Sequence, residues 1–185
     1  MTVITGWLHG DAPANVVFGV GTRLTGDQAF RRFYGEHDRA LVIGSDCLMD
    51  GVQFAIGVDG RIVIGDNCYF TNAVLLAEQE VRFGNRVVIG WNAAIADTDF
   101  HPLPPDLRWV DAEACSPTSN PPPRPRIDCR PIIVDDDAWI GPNAVLLKGV
   151  CIGAGAFIEP GSVVTSDVPP RTRVMGNPAR VIGMV

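Results

Sequence analysis

The sequence predicts an all-β protein whose short parallel strands wind as a coil with flat faces, and three observations support this prediction. Aliphatic residues recur every six positions, small residues recur with the same period, and glycine-bearing corners separate the short apolar stretches. A helix rotates by about 100° per residue, so a six-residue period cannot stay on one helical face. Strand side chains alternate between two sides, so the aliphatic and the small positions share one interior.

The amino-terminal segment, residues 1–40, is predicted to cap the coil, in one of two ways. Phe18, Leu24 and Phe30 follow the six-residue spacing and would form an incomplete first rung. The stretch DQAFRRFYG, ending at Gly35, would instead form a short amphipathic helix. The pattern alone leaves both alternatives open.

Residues 41–182 carry the repeat and are predicted to form one domain. The period appears in Ile64, Phe70 and Leu76, in Phe83, Ile89 and Ile95, and then without a break in two longer series. These series are Val134, Ile140, Leu146, Ile152, Ile158 and Val164, and Ala138, Ala144, Val150, Ala156, Ser162 and Val168. Three hexads make an 18-residue rung, which gives about six triangular rungs.

Residues 101–130 interrupt the six-residue register with a proline-rich excursion. Connections of this length are usually functional loops, which makes the excursion a candidate wall of a site. His101 opens it. Because much of an ordinary imidazole is neutral at cellular pH, a histidine here is a candidate general base.

Composition excludes several classes of protein. The net charge of −6 argues against a general nucleic-acid or anionic-membrane surface, since both require basic patches. No stretch of eighteen apolar residues occurs, so neither a membrane span nor an export signal is expected. The five cysteines form no C-x-x-C pair, which favours free thiols in the cytoplasm, and no metal is expected.

Two segments, residues 89–108 and 134–182, resemble the hexapeptide-repeat acyltransferases of the galactoside, maltose and polysaccharide O-acetyltransferase type. The quoted motifs are FHPLPPDLR in the first segment and W-I-G-x-N, V-T-x-D-V-P-P and G-N-P-A-R in the second. The resemblance implies a left-handed parallel β-helix, acetyl-CoA or another acyl-CoA as the donor, and a homotrimer with sites between subunits.

The same resemblance implies that His101 is the general base. A base of this kind is usually oriented by a second group. Asp97 and Asp99 are the nearby carboxylates, with a backbone carbonyl as the alternative, and Asp99 is our catalytic candidate beside His101.

For the donor, the matched motif positions imply a set of binding residues: Trp139, Pro142, Pro160, Gly161, Thr165, Ser166 and Arg180. Arg180 would grip a phosphate, with Arg171 and Arg173 as alternates. Two positions depart from the family pattern, because Pro142 stands where Ser or Ala is common and Ser166 where Lys is common.

The acceptor is a small molecule whose identity the sequence does not fix. Asn72, Trp91 and Arg108 are the candidate acceptor-binding residues. The predicted reaction is acyl transfer to a hydroxyl of a small or sugar-like acceptor. The alternatives are transfer to an amine and a non-catalytic scaffold or partner subunit. A zinc enzyme is disfavoured, because His101 is the only histidine in the repeat region.

Overall fold

The computed structural model describes residues 12–116 and 120–185, together with the backbone of residues 3–4. The chain winds as a parallel β-helix of about seven turns. In chain order the elements are β1 Val3–Ile4, β2 Val16–Phe18, β3 Arg23–Thr25, β4 Leu41–Ile43, β5 Leu48–Asp50, β6 Gln53–Ile56, β7 Arg61–Ile64, β8 Tyr69–Thr71, β9 Val74–Ala77, β10 Glu80–Phe83, β11 Val88–Ile89, β12 Ala94–Ala96, α1 Pro105–Ala114, β13 Ile132–Val134, β14 Trp139–Ile140, β15 Val145–Leu146, β16 Cys151–Ile152, β17 Phe157–Ile158, β18 Val163–Val164, β19 Thr172–Gly176 and β20 Ala179–Met184.

The strands form three sheets, which are the three faces of the coil. The nine-stranded face has the order β1-β3-β5-β8-β11-β14-β17-β19-β20, the six-stranded face β16-β13-β10-β7-β4-β2, and the five-stranded face β18-β15-β12-β9-β6. Each turn runs from the six-stranded to the nine-stranded face, then to the five-stranded face. We call the bends along this path the first corner (six- to nine-stranded), the second corner (nine- to five-stranded) and the third corner (five- to six-stranded).

The interior confirms the six-residue pattern. Every residue of the two long series in the carboxyl-terminal half is buried. Successive turns pair in parallel and in register, as where Val88 of β11 lies opposite Tyr69 of β8 and Trp139 of β14. The corners require small residues, since a Cβ on Gly65 would lie 2.6 Å from the carbonyl oxygen of Gly84 one turn on.

The amino-terminal segment begins the coil. Strands β2 and β3 pair in parallel with β4 and β5, so this segment supplies a first rung and raises the number of turns from the predicted six to about seven. No helix occurs in residues 12–40, which settles the two sequence alternatives in favour of the rung. Residues 1–2 and 5–11 of the predicted cap lie outside the described residues.

The excursion leaves the coil at the third corner, between β12 and β13, and carries a helix that we did not predict. Helix α1 starts with a proline in its first turn and an acidic residue, Asp106, beside it, both of which suit a helix amino terminus. An antiparallel bridge between Thr98 and Cys129 joins the outgoing and returning chain. At the other end, β19 and β20 form an antiparallel hairpin that closes the last turn.

Candidate active site

His101 is held by a buried carboxylate from helix α1. Its Nδ1 lies 2.5 Å from Oδ2 of Asp111, whose side chain is 0% exposed. The Nε of Arg124 donates to the other carboxylate oxygen of Asp111 at 2.7 Å. A carboxylate at Nδ1 favours the imidazole tautomer that carries its proton there, which leaves a lone pair on Nε2. With a side chain 56% exposed, His101 offers that nitrogen to a ligand.

The charges of Asp111 and Arg124 stabilise each other. The hydrogen bond from Arg124 lowers the pKa of Asp111 below its ordinary value, and the contact with His101 acts in the same direction. The Asp111 carboxylate in turn raises the pKa of Arg124. Asp111 is therefore a fixed anion, able to stabilise positive charge that develops on the imidazole.

The backbone before His101 is strained. Phe100 has φ of +65°, a conformation that bulky residues rarely adopt, and its side chain is exposed. Strain of this kind persists only where the surroundings fix it, and it clusters at functional sites. The bend at Phe100 turns the chain outward at the third corner and directs His101 towards α1.

The two carboxylates nearest to His101 in the sequence have other partners. Asp97 is buried and accepts backbone N–H bonds from Glu78 and Gln79, both at 2.8 Å, while burial raises its pKa. The Asp99 carboxylate accepts a bond from Nζ of Lys148 at 2.5 Å. In this structure the side-chain partner of the imidazole is therefore Asp111, which corrects our choice of Asp99.

Lys148 ties both ends of the excursion to the coil. Its ammonium group binds Asp99 on the outgoing chain and Asp128 on the returning chain, and its side chain is only 12% exposed. Burial opposes the charge of Lys148, but the two carboxylates outweigh that effect and raise its pKa. This pairing fixes the base of the loop that carries His101.

We expect Lys148→Met to loosen the excursion without unwinding the coil. The change keeps the length of the side chain but removes the ammonium group that is hydrogen-bonded to Asp99 and Asp128. The loss of the shielded bond to Asp99, about 1.5 kcal/mol, raises the population of open loop forms about tenfold, and the lost bond to the exposed Asp128 adds little. Limited chymotrypsin digestion with mass spectrometry should show correspondingly faster cleavage within residues 101–128. Lys148→Arg is the matched control, and equal cleavage of the Met variant and the natural protein would contradict the assignment.

A cavity of about 430 Å³ opens beside His101. Its lining is partly apolar and partly charged: the apolar residues are Pro102, Leu103, Pro104 and Leu107, and the charged residues are Asp99, Arg126, Asp128, Arg130 and Lys148. A ligand in this cavity would meet apolar surface, charged groups and the imidazole together.

Two of the three predicted acceptor residues lie in a different cavity. Asn72 and Trp91 line a shallow cavity of about 530 Å³ at the second corner, where the Asn72 side-chain amide donates to Asn92 at 2.8 Å. Arg108 is exposed on α1 and lines neither cavity. Within one chain the structure therefore separates Asn72 and Trp91 from His101, with the five-stranded face between them.

Most of the predicted donor residues lie on the same side of the coil as Asn72. Pro142, Pro160 and Gly161 occupy the second corner in successive turns, where the N–H of Gly161 donates to the Pro142 carbonyl at 2.9 Å. The space around Gly161 is open, since an added Cβ would have no neighbour within 4 Å. Beside this corner, the exposed ring of Trp139 stacks on Phe157 with centroids 4.3 Å apart.

The remaining predicted donor residues lie elsewhere. Thr165 and Ser166 are exposed at the third corner, one turn beyond Lys148, because Leu146 pairs with Val164. Arg180 is exposed on β20, and its Nη1 donates to the carbonyl of Ala179 at 2.8 Å. Of its alternates, Arg173 pairs with Glu159 and lies over the Phe157 ring.

Sequence reasoning missed three members of the site. None of Asp111, Arg124 and Lys148 was among the predicted site residues. One signal was available for Lys148, which is the only lysine in the sequence. No comparable signal marked Arg124, one of several arginines in a proline-rich stretch. In the described part of the chain, no three His, Cys, Asp or Glu side chains are grouped as metal ligands, and no helix reaches membrane-spanning length and hydropathy.

Comparison with known proteins identifies the family. The family model described as bacterial transferase hexapeptide (six repeats) matches residues 131–166. Galactoside O-acetyltransferase of Lactococcus lactis is 29% identical over 140 residues, which cover 75% of this chain and 60% of that protein. The chain thus spans about three fifths of the length of this curated relative.

Solved structures agree with this assignment. The crystal structure of a hexapeptide-repeat containing acetyltransferase from Vibrio cholerae aligns with a TM-score of 0.60 and 32% identity, over 75% of this chain and 69% of that chain. A structure of the Vibrio cholerae acetyltransferase complexed with acetyl coenzyme A aligns with a TM-score of 0.54 and 29% identity, over 73% and 71% of the two chains. With the repeat-built coil described above, these similarities establish that the chain belongs to the hexapeptide-repeat acetyltransferases.

Proposed function

We propose that the protein transfers an acyl group from acetyl-CoA, or another acyl-CoA, to a hydroxyl of a small or sugar-like acceptor, with His101 as the general base. The observation that carries the proposal is the 2.5 Å contact between His101 Nδ1 and the buried Asp111 carboxylate. It orients an exposed imidazole so that Nε2 is the free basic nitrogen. Relatives named as acetyltransferases, one of them complexed with acetyl coenzyme A, support the same donor.

In the proposed reaction, His101 Nε2 takes the proton of the acceptor hydroxyl while the hydroxyl oxygen attacks the thioester carbonyl carbon. Asp111, fixed by Arg124, stabilises the imidazolium that forms. The carbon–sulfur bond then breaks, and the proton on Nε2 passes to the departing thiolate, so the imidazole is regenerated. General base catalysis of this kind contributes typically ~10²- to 10⁴-fold.

The donor site would combine residues from two corners of the coil. The open backbone around Gly161 and the exposed Trp139–Phe157 stack at the second corner suit a long pantetheine arm with its amides. His101, Thr165 and Ser166 lie at the third corner. A second copy placed with its second corner against this third corner would bring both groups to one groove, with Arg180 available for a phosphate.

We therefore expect a homotrimer in solution. The five-stranded face separates the two groups within one chain, so the complete site requires contacts between copies. Sedimentation equilibrium at micromolar concentration should give close to three times the 19.9 kDa chain mass. A chain that is monomeric under conditions of full activity would contradict the shared site.

The activity itself is tested by release of free coenzyme A thiol from acetyl-CoA with paired acceptors. A set of alcohols and the matched amines, offered at equal concentrations, separates O-transfer from N-transfer. The proposal predicts acceptor-dependent thiol release with the alcohols and a stable ester product by mass spectrometry. Preference for the amines would show that the acceptor group is an amine and not a hydroxyl. Absence of coenzyme A binding by calorimetry would favour the scaffold alternative.

We expect Asp111→Asn to lower kcat while leaving the KM for acetyl-CoA unchanged. The amide keeps the size of the side chain but no longer holds the Nδ1 proton as a carboxylate does, so the orientation and charge stabilisation of the imidazole are lost. Loss of an orienting partner of this type costs about 10- to 100-fold. In a His101→Ala background the same change should have no further effect on kcat. A further drop in that background would show that Asp111 acts by another route.

A further inference from the structure

The charged part of the cavity lining beside His101 contains more positive than negative groups. Arg126, Arg130 and Lys148 face two carboxylates, Asp99 and Asp128. Lys148 binds both of these carboxylates, so the ammonium group and the acids satisfy one another. Among the described residues, the two arginines are therefore the charges in this cavity without a hydrogen-bonded carboxylate, since Lys148 already binds Asp128, the acid nearest to Arg130.

The contacts of the two arginines bear this out. The Nε of Arg130 lies 3.8 Å from Oδ2 of Asp128, at the outer limit of an ion pair, and the side chain is 61% exposed. Arg126 is exposed and forms no ion pair with any residue in the described ranges 12–116 and 120–185. Neither guanidinium group is hydrogen-bonded to a carboxylate of the described residues. Two such groups lining one cavity can each bind an anion with two parallel hydrogen bonds.

The coil fixes the position of Arg130. Its carbonyl accepts the N–H of Gly149 at 3.0 Å, and its stem packs against Gly149, where an added Cβ would lie 3.2 Å from the Arg130 Cβ. Gly149 has φ of +79°, a conformation suited to glycine, so this close approach is built into the corner. Arg130 is thus anchored to the same corner that carries His101.

We propose that the acceptor of this enzyme carries an anionic group, a carboxylate or a phosphate monoester, which Arg126 and Arg130 bind while the acceptor hydroxyl faces His101. The apolar residues Leu103 and Leu107, which line the same cavity, are available to contact the carbon skeleton between the two groups. This inference rests on the proposed function, because only an acyl transfer has an acceptor. The anion site is argued from the cavity and its charges alone.

The test is calorimetric titration of the full chain with phenyl phosphate, phenylacetate and benzyl alcohol, at saturating coenzyme A so that the donor's own phosphate sites are filled. We expect at least one of the two anions to bind, and neutral benzyl alcohol to bind at least tenfold more weakly. Comparing the Kd of phenyl phosphate with that of phenylacetate shows whether the site prefers a phosphate or a carboxylate.

The double variant Arg126→Ala/Arg130→Ala should raise the Kd of the preferred anion at least tenfold. Arg23→Ala, an exposed arginine on the nine-stranded face, should leave it unchanged.

Three results would overturn the proposal: no binding of either anion, equal binding by the double variant, or a rise in the Kd of coenzyme A in the double variant with the anion unaffected. The last would assign the arginines to the donor. If coenzyme A fails to bind at all, the proposed function fails, and the same titrations without it still decide the anion site. If the anions bind as expected but no alcohol is acylated, the proposed function falls and the anion site remains.

Discussion

Replacing His101 by Ala is expected to lower kcat by ~10²- to 10⁴-fold while the coil and coenzyme A binding are retained. The methyl side chain cannot take the acceptor proton, and the exposed position of the ring means that its removal leaves no cavity in the core. The measurement is thiol release from acetyl-CoA at saturating acceptor, with circular dichroism and coenzyme A calorimetry on the same preparation.

His37→Ala is the matched control for this experiment. His37 is exposed near the first turns of the coil and lines neither cavity, so its replacement should leave kcat within about twofold. Unchanged turnover in the His101 variant would remove the base assignment and with it the proposed mechanism. A parallel loss of coenzyme A binding would instead show that His101 holds the donor.

Phe70→Ala is expected to cost about 3–5 kcal/mol of unfolding free energy, the largest stability effect we predict. The Phe70 ring is 0% exposed and meets Phe83 of the next turn edge-on, with centroids 5.0 Å apart. Each turn of a solenoid contacts only its neighbours, so a void in one turn cannot be filled from elsewhere. Urea unfolding at a fixed protein concentration measures the change.

Tyr69→Ala provides the comparison within the same strand. Its side chain points outward from β8 and is 45% exposed, so the loss should be well below that of Phe70→Ala. Equal losses at the two positions would mean that an interface between copies, rather than the interior of the coil, dominates stability at this turn.

The coil could be predicted because its signal is repeated. Each hexad repeats the same requirement for one aliphatic and one small inward side chain, as Ile140 and Ala144 do, and both are buried. Where the repeat is incomplete, as around Phe18 and Leu24, the pattern allowed both a rung and a helix. Only the pairing of β2 and β3 with the following turn separated them.

The site was predictable only in part, because its geometry is not periodic. His101 could be selected from the motif around it and from its place at the start of the excursion. Asp111 could not, because its role depends on a ten-residue helix that brings it against His101 and Arg124. Arg124 and Lys148 reach the site from 23 and 47 positions further along the chain, and such long-range pairing leaves no local pattern.

The way the excursion is attached makes it an interchangeable module. It departs and returns between two strands that remain paired with the turns on either side, and the Thr98–Cys129 bridge and Lys148 close its base. Loop-closure cost grows only slowly with length, so the excursion can change in size or sequence around His101, Asp111 and Arg124 without changing the column. The acceptor selectivity proposed for the excursion can therefore change separately from the coil proposed to bind the donor.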